Sequence, residues 1–395
     1  MEQDTRKIVM VRFGEIFLKS EPVRREFLNS LERNIRNALA STGADVSVVI
    51  TRSRLIVTTT GHDDPVSVLS RIFGIVDVSP VLVTGTSVDE LCNTAVDLAK
   101  MHLSPTRRFA VRARRERVEG FSSQELAAEA GSRIIDAIPD LIVDLTNPEY
   151  EIFIEARHDG GMVYDTRIPG PGGLPYGTQG KAVALISAGI DSPVAAWLMM
   201  RRGVKLIFLH VDPGKYGGPD IRENLMNNLK AISHWVPGRN LTLISLPAEH
   251  LFGNIMSLSE PRFRCVICKR TMLEIGDAFA EKTGSAGIVT GDNLGQVATQ
   301  TLNNLAPISA GIRAPIYRPL IGYDKEEIIT LARKIGSFAA EPGDTSCNVL
   351  PPKPATRSDE DQIQRLMNEA KIREMIPTLL EEGVRIKIKN GEIIE

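Results

Sequence analysis

Hydrophobic positions change their spacing several times along the chain, and each change marks an element. Residues 7–13 (KIVMVRF) are a short apolar run of strand character. Over 22–41 the apolar residues fall three or four apart. Val23, Phe27, Leu31, Ile35 and Ala38 then share one face, with Gly43 just past the end, which predicts an amphipathic helix. Residues 46–59 (VSVVITRSRLIVTT) predict two strands joined by a short turn, and Pro65–Phe73 a second helix ended by Gly74.

A comparable series follows. Val76–Val83 reads as a strand and Val88–His102 as a helix. Residues 108–114 alternate, with Phe109, Val111 and Ala113 on one face and arginines on the other. Ser123–Ile138 reads as a helix, and Leu141–Asp144 and Tyr150–Arg157 as strands. Glycine and proline crowd 168–180 (IPGPGGLPYGTQG), which predicts a linker or an ordered loop. Beyond it, apolar strands at Ala182–Ile186, Val204–Val211, Leu241–Leu246 and Gly287–Thr290 alternate with helices at Pro193–Arg202, Asp220–Trp235, Lys269–Lys282 and Gln296–Leu305. That order predicts a doubly wound parallel sheet. The expected organisation is α/β throughout: a ferredoxin-like α+β unit at 1–75, a second α/β module at 76–168, a linker at 169–180, the parallel-sheet domain at 181–356 and a charged helical tail at 357–395. The tail ends in a short alternating stretch (VRIKIKNGEII).

Composition narrows the setting. A chain of 395 residues needs more than one core. It has no apolar run of the roughly 18–20 residues a membrane helix needs. The N-terminus lacks a secretory pattern, and four cysteines make no disulfide framework, so a cytoplasmic protein without membrane attachment is expected. The net charge of −2 requires any nucleic-acid grip to be local. Residues 107–117 (RRFAVRARRER) supply one, with Arg107, Arg108, Arg112, Arg114 and Arg115 as candidate phosphate contacts. A solvated charged strand is the plainer reading of the same residues.

The sharpest chemical signal is Leu185-Ile186-Ser187-Ala188-Gly189-Ile190-Asp191-Ser192-Pro193, between an apolar strand and a helix. Small residues at 187–189 let backbone N–H groups close on an anion, the helix N-terminus favours it, and Pro193 suits the first turn. Ser187 and Ser192 offer hydroxyls, and Asp191 a carboxylate for Mg²⁺ on phosphates. No Walker lysine follows the strand. The loop instead resembles the S-G-G-x-D-S loop of PP-loop ATP pyrophosphatases, with Ala188 in place of the second glycine.

The wider context resembles the tRNA 4-thiouridine synthetases. Val11–Lys19 (VRFGEIFLK), Ile186–Gly203, Thr290–Leu305 (TGDNLGQVATQTLNNL) and the THUMP-like Val143–Pro148 (VDLTNP) carry the resemblance, which covers residues 1 to about 355. It implies a THUMP RNA-binding module at 76–168 and ATP held at Leu185, Ile186, His210, Val211, Lys269, Gly291 and Gln300, beside Ser187, Gly189 and Ser192 of the loop. It implies tRNA as partner, Asp191 and Cys347 as catalytic residues, and a sulfur donor that is sulfide, a cysteine desulfurase or a carrier protein. A homodimer and a part in thiazole synthesis for thiamine come with it. About fifty residues follow Cys347, too few for a rhodanese domain. The pattern Cys265-x-x-Cys268 with Cys347 is similar to archaeal-type members, in which it is associated with an iron–sulfur cluster. Read alone, C-x-x-C also fits a redox pair or half a zinc site. Cys92 reads as an ordinary buried cysteine. The expected reaction is adenylation of a uridine O4 (position 8 by resemblance) and displacement of AMP by sulfur. A PP-loop enzyme acting on another base or a small molecule, and a non-catalytic RNA-binding protein, are the rival readings.

Overall fold

The computed structural model describes residues 6–51, 53–61, 64–341 and 343–395. Arg52, in the turn expected between the first two hairpin strands, lies outside them, as do residues 1–5, 62, 63 and 342. The chain divides into two compact units whose segments interleave. The first takes residues up to Leu18, 39–70 and 75–172; the second takes 19–38, 71–74 and 173–395.

Among the described residues the first unit contains ten strands: β1 (Lys7–Phe13), β2 (Asp45–Ile50), β3 (Arg54–Thr60), β4 (Ile75–Pro80), β5 (Leu82–Thr84), β6 (Arg108–Glu116), β7 (Ile142–Val143), β8 (Tyr150–Arg157), β9 (Gly160–Tyr164) and β10 (Ile168–Pro169). They form two sheets, ordered β10-β4-β1-β3-β2 and β5-β9-β8-β6-β7. The strand expected over 76–83 is two strands, β4 and β5, one in each sheet. Pro80, which has no N–H to donate, ends the first of them. The second sheet carries two helices on one face, Val88–His102 and Ser123–Ala137. Both begin with a capping box, Ser87 with Glu90 and Ser122 with Glu125, which satisfies N–H groups that a helix start leaves open. Phe109, Val111, Ile152 and Ile154 meet Leu91, Ala95, Leu126 and Ile134 in that core, and Cys92 is buried among them.

The helix α1 (Glu21–Ala40) lies almost wholly in the second unit. Its residues Phe27, Leu31, Ile35 and Ala38 are buried as the periodicity predicts, while Val23 is exposed. Asn34 donates to the Tyr176 carbonyl at 3.2 Å and accepts from Arg239 at 2.7 Å. The glycine–proline segment is an ordered loop here: Leu174 N–H donates to Arg201 O and Gly177 N–H to Gly203 O.

The sheet of this unit has seven strands. Five are parallel: β11 (Lys181–Leu185), β12 (Lys205–Asp212), β13 (Leu241–Pro247), β14 (Ile288–Val289) and β15 (Ile316–Tyr317). Two more, β16 (Val384–Lys389) and β17 (Glu392–Ile393), extend the edge antiparallel, giving the order β15-β14-β11-β12-β13-β16-β17. The tail is therefore not simply helical. Its period-2 end, VRIKIK, pairs with β13, and its two helices, Glu360–Glu369 and Ile372–Glu381, bury Ile363, Leu366 and Ile376 in the main core. Alternate strand residues face opposite layers. Val183, Leu209 and Leu246 meet the helix α8 (Arg264–Thr283) and its neighbours. Ala184, Phe208 and Leu243 meet α5 (Asp191–Arg201), α6 (Ile221–Ser233) and α10 (Lys325–Ile335). Helices thus cover both faces, the doubly wound arrangement. Phe73 and Trp235 pack on Trp197 with ring centroids 5.5 and 5.2 Å away. Among the described residues no helix is long and apolar enough to cross a membrane.

The helix expected over Pro65–Phe73 ends at Leu69, and two boundaries near the sheet's carboxyl edge also move. The helix expected at 296–305 is Leu302–Ser309, because 295–301 closes a tight loop in which Gly295 N–H donates to Gln300 O and Gln300 N–H to Val297 O. The helix expected from Lys269 begins at Arg264, so Cys265 and Cys268 lie within it, one turn apart.

Candidate active site

Strand β11 delivers the phosphate-loop candidates to the carboxyl edge of the sheet, where ligands of open α/β sheets bind. The loop is braced from within. Ser187 N–H donates to Ser192 Oγ at 2.9 Å, the two hydroxyls are 3.0 Å apart, and Gly189 N–H reaches Ser187 Oγ at 3.3 Å. From α6, the buried Asn228 amide donates to the carbonyls of Ser187, Ala188 and Gly189 at 3.3–3.4 Å. Holding three carbonyls on one side leaves the loop N–H groups to face the other. Helix α5 begins here without a side-chain cap, so its N-terminal donors stay available to an anion.

Asp191 opens α5. Its carboxylate accepts from Lys325 Nζ at 2.8 Å and from Gln296 Nε2 at 3.1 Å. Gly291 ends up directly behind it. A Cβ there would stand 2.8 Å from Ser192 N and 3.0 Å from the Asp191 carbonyl carbon. The approach of the α5 start by itself requires a glycine here.

A cavity of about 220 Å³ sits between β11, β12 and α8, lined by Leu185, Ile186, Ser187, His210, Val211 and Lys269 with Thr290 and Asp292. Six of the ten positions expected to bind ATP therefore share one wall. Gly189 and Ser192 lie in the adjoining loop. Gln300 is buried but does not line the cavity, and its Oε1 has no hydrogen-bond partner. Lys269 Nζ is 2.7 Å from Asp292 Oδ1, Arg318 Nε is 3.3 Å from Oδ2, and Thr290 donates to Oδ2 at 2.9 Å. Burial works to raise the Asp292 carboxyl, but these cations and the hydroxyl outweigh it and hold it below the ordinary range. Buried His210 is placed by Nδ1, 3.0 Å from Ile186 O. Burial lowers its pKa, against the opposing effects of that carbonyl and of Asp212.

Cys347 is exposed on a loop stitched to the end of β12. It forms an antiparallel bridge with Gly217, with Gly218 N–H donating to Ser346 O at 2.9 Å and Asn348 N–H to Tyr216 O at 2.9 Å. Cys265 and Cys268 are near enough to feel its charge. Burial first, then Cys347, raises Cys265 to about 11; burial, then Cys347 and Cys265, raises Cys268 to about 12. Cys347 therefore lies in the neighbourhood of the α8 pair. Among the described residues, however, no three His, Cys, Asp or Glu side chains come together as a metal-ligand set.

Arg108, Arg112 and Arg114 share the β6 face away from the helices, Arg115 has the opposite parity and Arg107 precedes the strand, and much of the stripe is neutralised. Arg108 is 3.6 Å from Asp144 and 3.7 Å from Glu149, and Arg112 is 2.8 Å from Glu151. Arg115 donates to the Val118 carbonyl. Arg114 makes no ion pair among the described residues and lines a cavity of about 450 Å³ with Arg12, Arg54, Arg115 and Arg157. Arg12 and Arg54 there meet the buried Glu155, a cluster that strand alternation alone does not reveal. Asn228, Lys325, Asp292, Arg318 and Gln296 were likewise missed by pattern reading, though Asp292 and Gln296 stand inside the Thr290–Leu305 stretch already singled out.

Three family models match consecutive parts of the chain: the ThiI ferredoxin-like domain at 8–79, the THUMP domain at 85–164 and the thiamine biosynthesis protein ThiI at 177–372. A probable tRNA sulfurtransferase of Methanobrevibacter smithii is 36% identical over 92% of this chain and 96% of its own length. Another, from Thermococcus kodakarensis, is 40% identical over 84% of this chain and 88% of its own. The crystal structure of a 4-thiouridine synthetase–RNA complex with bound ATP is 29% identical, with a TM-score of 0.86 over 98% of this chain and all of that one. Phosphate loop, nucleotide cavity and neighbouring thiols stand in a fold matched along its whole length, and the chain belongs to the ThiI family of tRNA sulfurtransferases.

Proposed function

We propose that this protein is a cytoplasmic tRNA 4-thiouridine synthetase that spends ATP to exchange the O4 of a uridine for sulfur. The observation that carries the reading is the nucleotide cavity with an uncapped helix N-terminus beside it. ATP would place its adenosine in the cavity and its terminal phosphates on the loop of residues 187–192. Uridine O4 attacks the α-phosphorus and pyrophosphate leaves along α5. Backbone N–H groups and Lys269 stabilise the charge that develops. A sulfur nucleophile then attacks C4, and AMP leaves with the C4–O4 pair.

Mg²⁺ fits this site in one respect. It is carried mainly by phosphates and water with one or two carboxylates, and Asp191 offers one at the loop. An iron–sulfur cluster does not fit the side chains as they stand, since among the described residues the three thiols form no ligand set. The sulfur step is therefore derived without one: exposed Cys347 takes a sulfane sulfur from the persulfide of a cysteine desulfurase or its carrier protein, whose own thiol is left behind, whereas sulfide as donor would attack C4 itself. Dimerisation and thiazole synthesis rest on resemblance alone and play no part in it.

Nucleoside mass spectrometry of tRNA from a deletion strain is the direct test. Loss of 4-thiouridine, restored by the gene, is expected; unchanged 4-thiouridine would overturn the proposal. The RNA grip has its own signature. Replacing both Arg114 and Arg115 by alanine should weaken tRNA binding and flatten its log–log salt dependence by about one per lost phosphate contact. Turnover at saturating tRNA should hold. An unchanged salt slope would remove these arginines from the interface.

A further inference from the structure

A second and larger cavity, of about 520 Å³, lies beside the nucleotide cavity and has no occupant in the reaction so far. It opens between β12, β13, β16 and α6, with Leu225, Met226, Leu243 and Ile386 as apolar walls. His210 lines both cavities. Because a carbonyl only accepts, the bond to Ile186 O puts the ring proton on Nδ1, and the neutral ring keeps a bare lone pair on Nε2. Gly217 and Gly218 belong to the wall of the larger cavity; Cys347 pairs with Gly217 across an antiparallel bridge, and Gly218 N–H donates to Ser346 O. Nucleotide, imidazole and sulfur-bearing loop therefore meet around one space.

Adenylation creates a need that this space can meet. Uracil presents O4 beside an N3–H. Once O4 bonds phosphorus, N3 must lose its proton for the product to be neutral. We propose, resting on the thiolation reading above, that the larger cavity seats the target uracil and that His210 Nε2 takes the N3 proton as O4 is adenylated. The C4=O4 pair forms the O4–Pα bond, and the Pα–O bond to pyrophosphate breaks with its pair. The N3–H pair becomes the N3=C4 bond, and the proton moves to Nε2. Apolar walls suit the faces of a pyrimidine, and Arg222 at the α6 side suits a backbone phosphate.

Burial keeps the imidazole neutral at neutral pH, as a base must be. The charged groups around it are Asp212 on its own strand, Lys215 in the next turn, Arg222 on α6, and Lys269 with Asp292 across the nucleotide cavity.

His210→Asn is the discriminating variant, because its amide N–H can still serve Ile186 O while Nε2 is lost. Single-turnover thiolation at saturating ATP and tRNA should fall by about 10²-fold or more. The wild-type rate should fall as pH drops below the depressed imidazole pKa, under about 6.5, and the variant should lack that limb. Met226→Trp, which fills the cavity from its partly exposed wall, should raise KM for tRNA without weakening ATP. A variant rate within about threefold of wild type at saturating ATP and tRNA, or a variant that keeps the acid limb, overturns the assignment. A wild-type protein that forms no 4-thiouridine overturns the thiolation reading and this assignment together.

Discussion

Asp191→Ala is expected to lower thiolation by about 10²-fold or more, the scale of removing one preorganised group from a charge-developing site. Its tRNA affinity should stay near wild type. The carboxylate holds two groups at once, Lys325 and Gln296, and begins the helix on which pyrophosphate would depart. Removing it frees a lysine next to the phosphate loop and leaves the Gln296 amide without its acceptor. The effect on folding should be small, because both members of the Asp191–Lys325 pair are partly exposed and such pairs contribute little. Rate, tRNA affinity and thermal midpoint measured on one preparation separate these effects. A parallel loss of tRNA binding would sink the division of labour between the loop and the β6 face.

Cys347→Ala should abolish 4-thiouridine formation while pyrophosphate is still released from ATP and the uridine is adenylated in the presence of tRNA. Cys347 is the exposed thiol of the three, and its loop is fixed to β12 by backbone bonds that alanine keeps. Alkylation adds a second readout. Cys265 and Cys268, pushed up to about 11 and about 12, remain thiols at pH 8, so iodoacetamide should label Cys347 first. Labelling of the other two should climb only as pH approaches their raised values. Retained thiolation in the variant would exclude Cys347 as the carrier.

The strand–loop–helix at 181–201 was legible because an apolar strand, a run of small residues and Pro193 leave few alternatives. The layered sheet was legible for the same reason: its strands are continuous apolar runs separated by helical spacing. Reading failed where local pattern and tertiary contact disagree. Val297 and Ala298 extend the helical rhythm of 302–309, yet the chain closes a loop there. The start of α8 carries no capping side chain, so nothing in the sequence marked Arg264 as its beginning. VRIKIK has strand period, but only its pairing with β13 makes it part of the sheet. Asn228 looks like a surface residue on α6 until three loop carbonyls are found on its amide. Lys325 lies 134 residues from Asp191 in sequence, and only the fold makes them partners.

The interleaving of the two units bears on the history and handling of the gene. Residues 19–38 and 71–74 are encoded inside the stretch that builds the first unit, yet they complete the second. A recombination crossover or a truncation near residue 172 would cut them away from the body they help to build. Asn34 would lose Tyr176 and Arg239, and Phe73 would lose Trp197. Such a protein is not a string of exchangeable cassettes. Its RNA-binding and ATP-using halves are expected to be inherited together, and a catalytic fragment beginning after the glycine–proline loop should be poorly soluble unless the 19–38 helix is supplied with it.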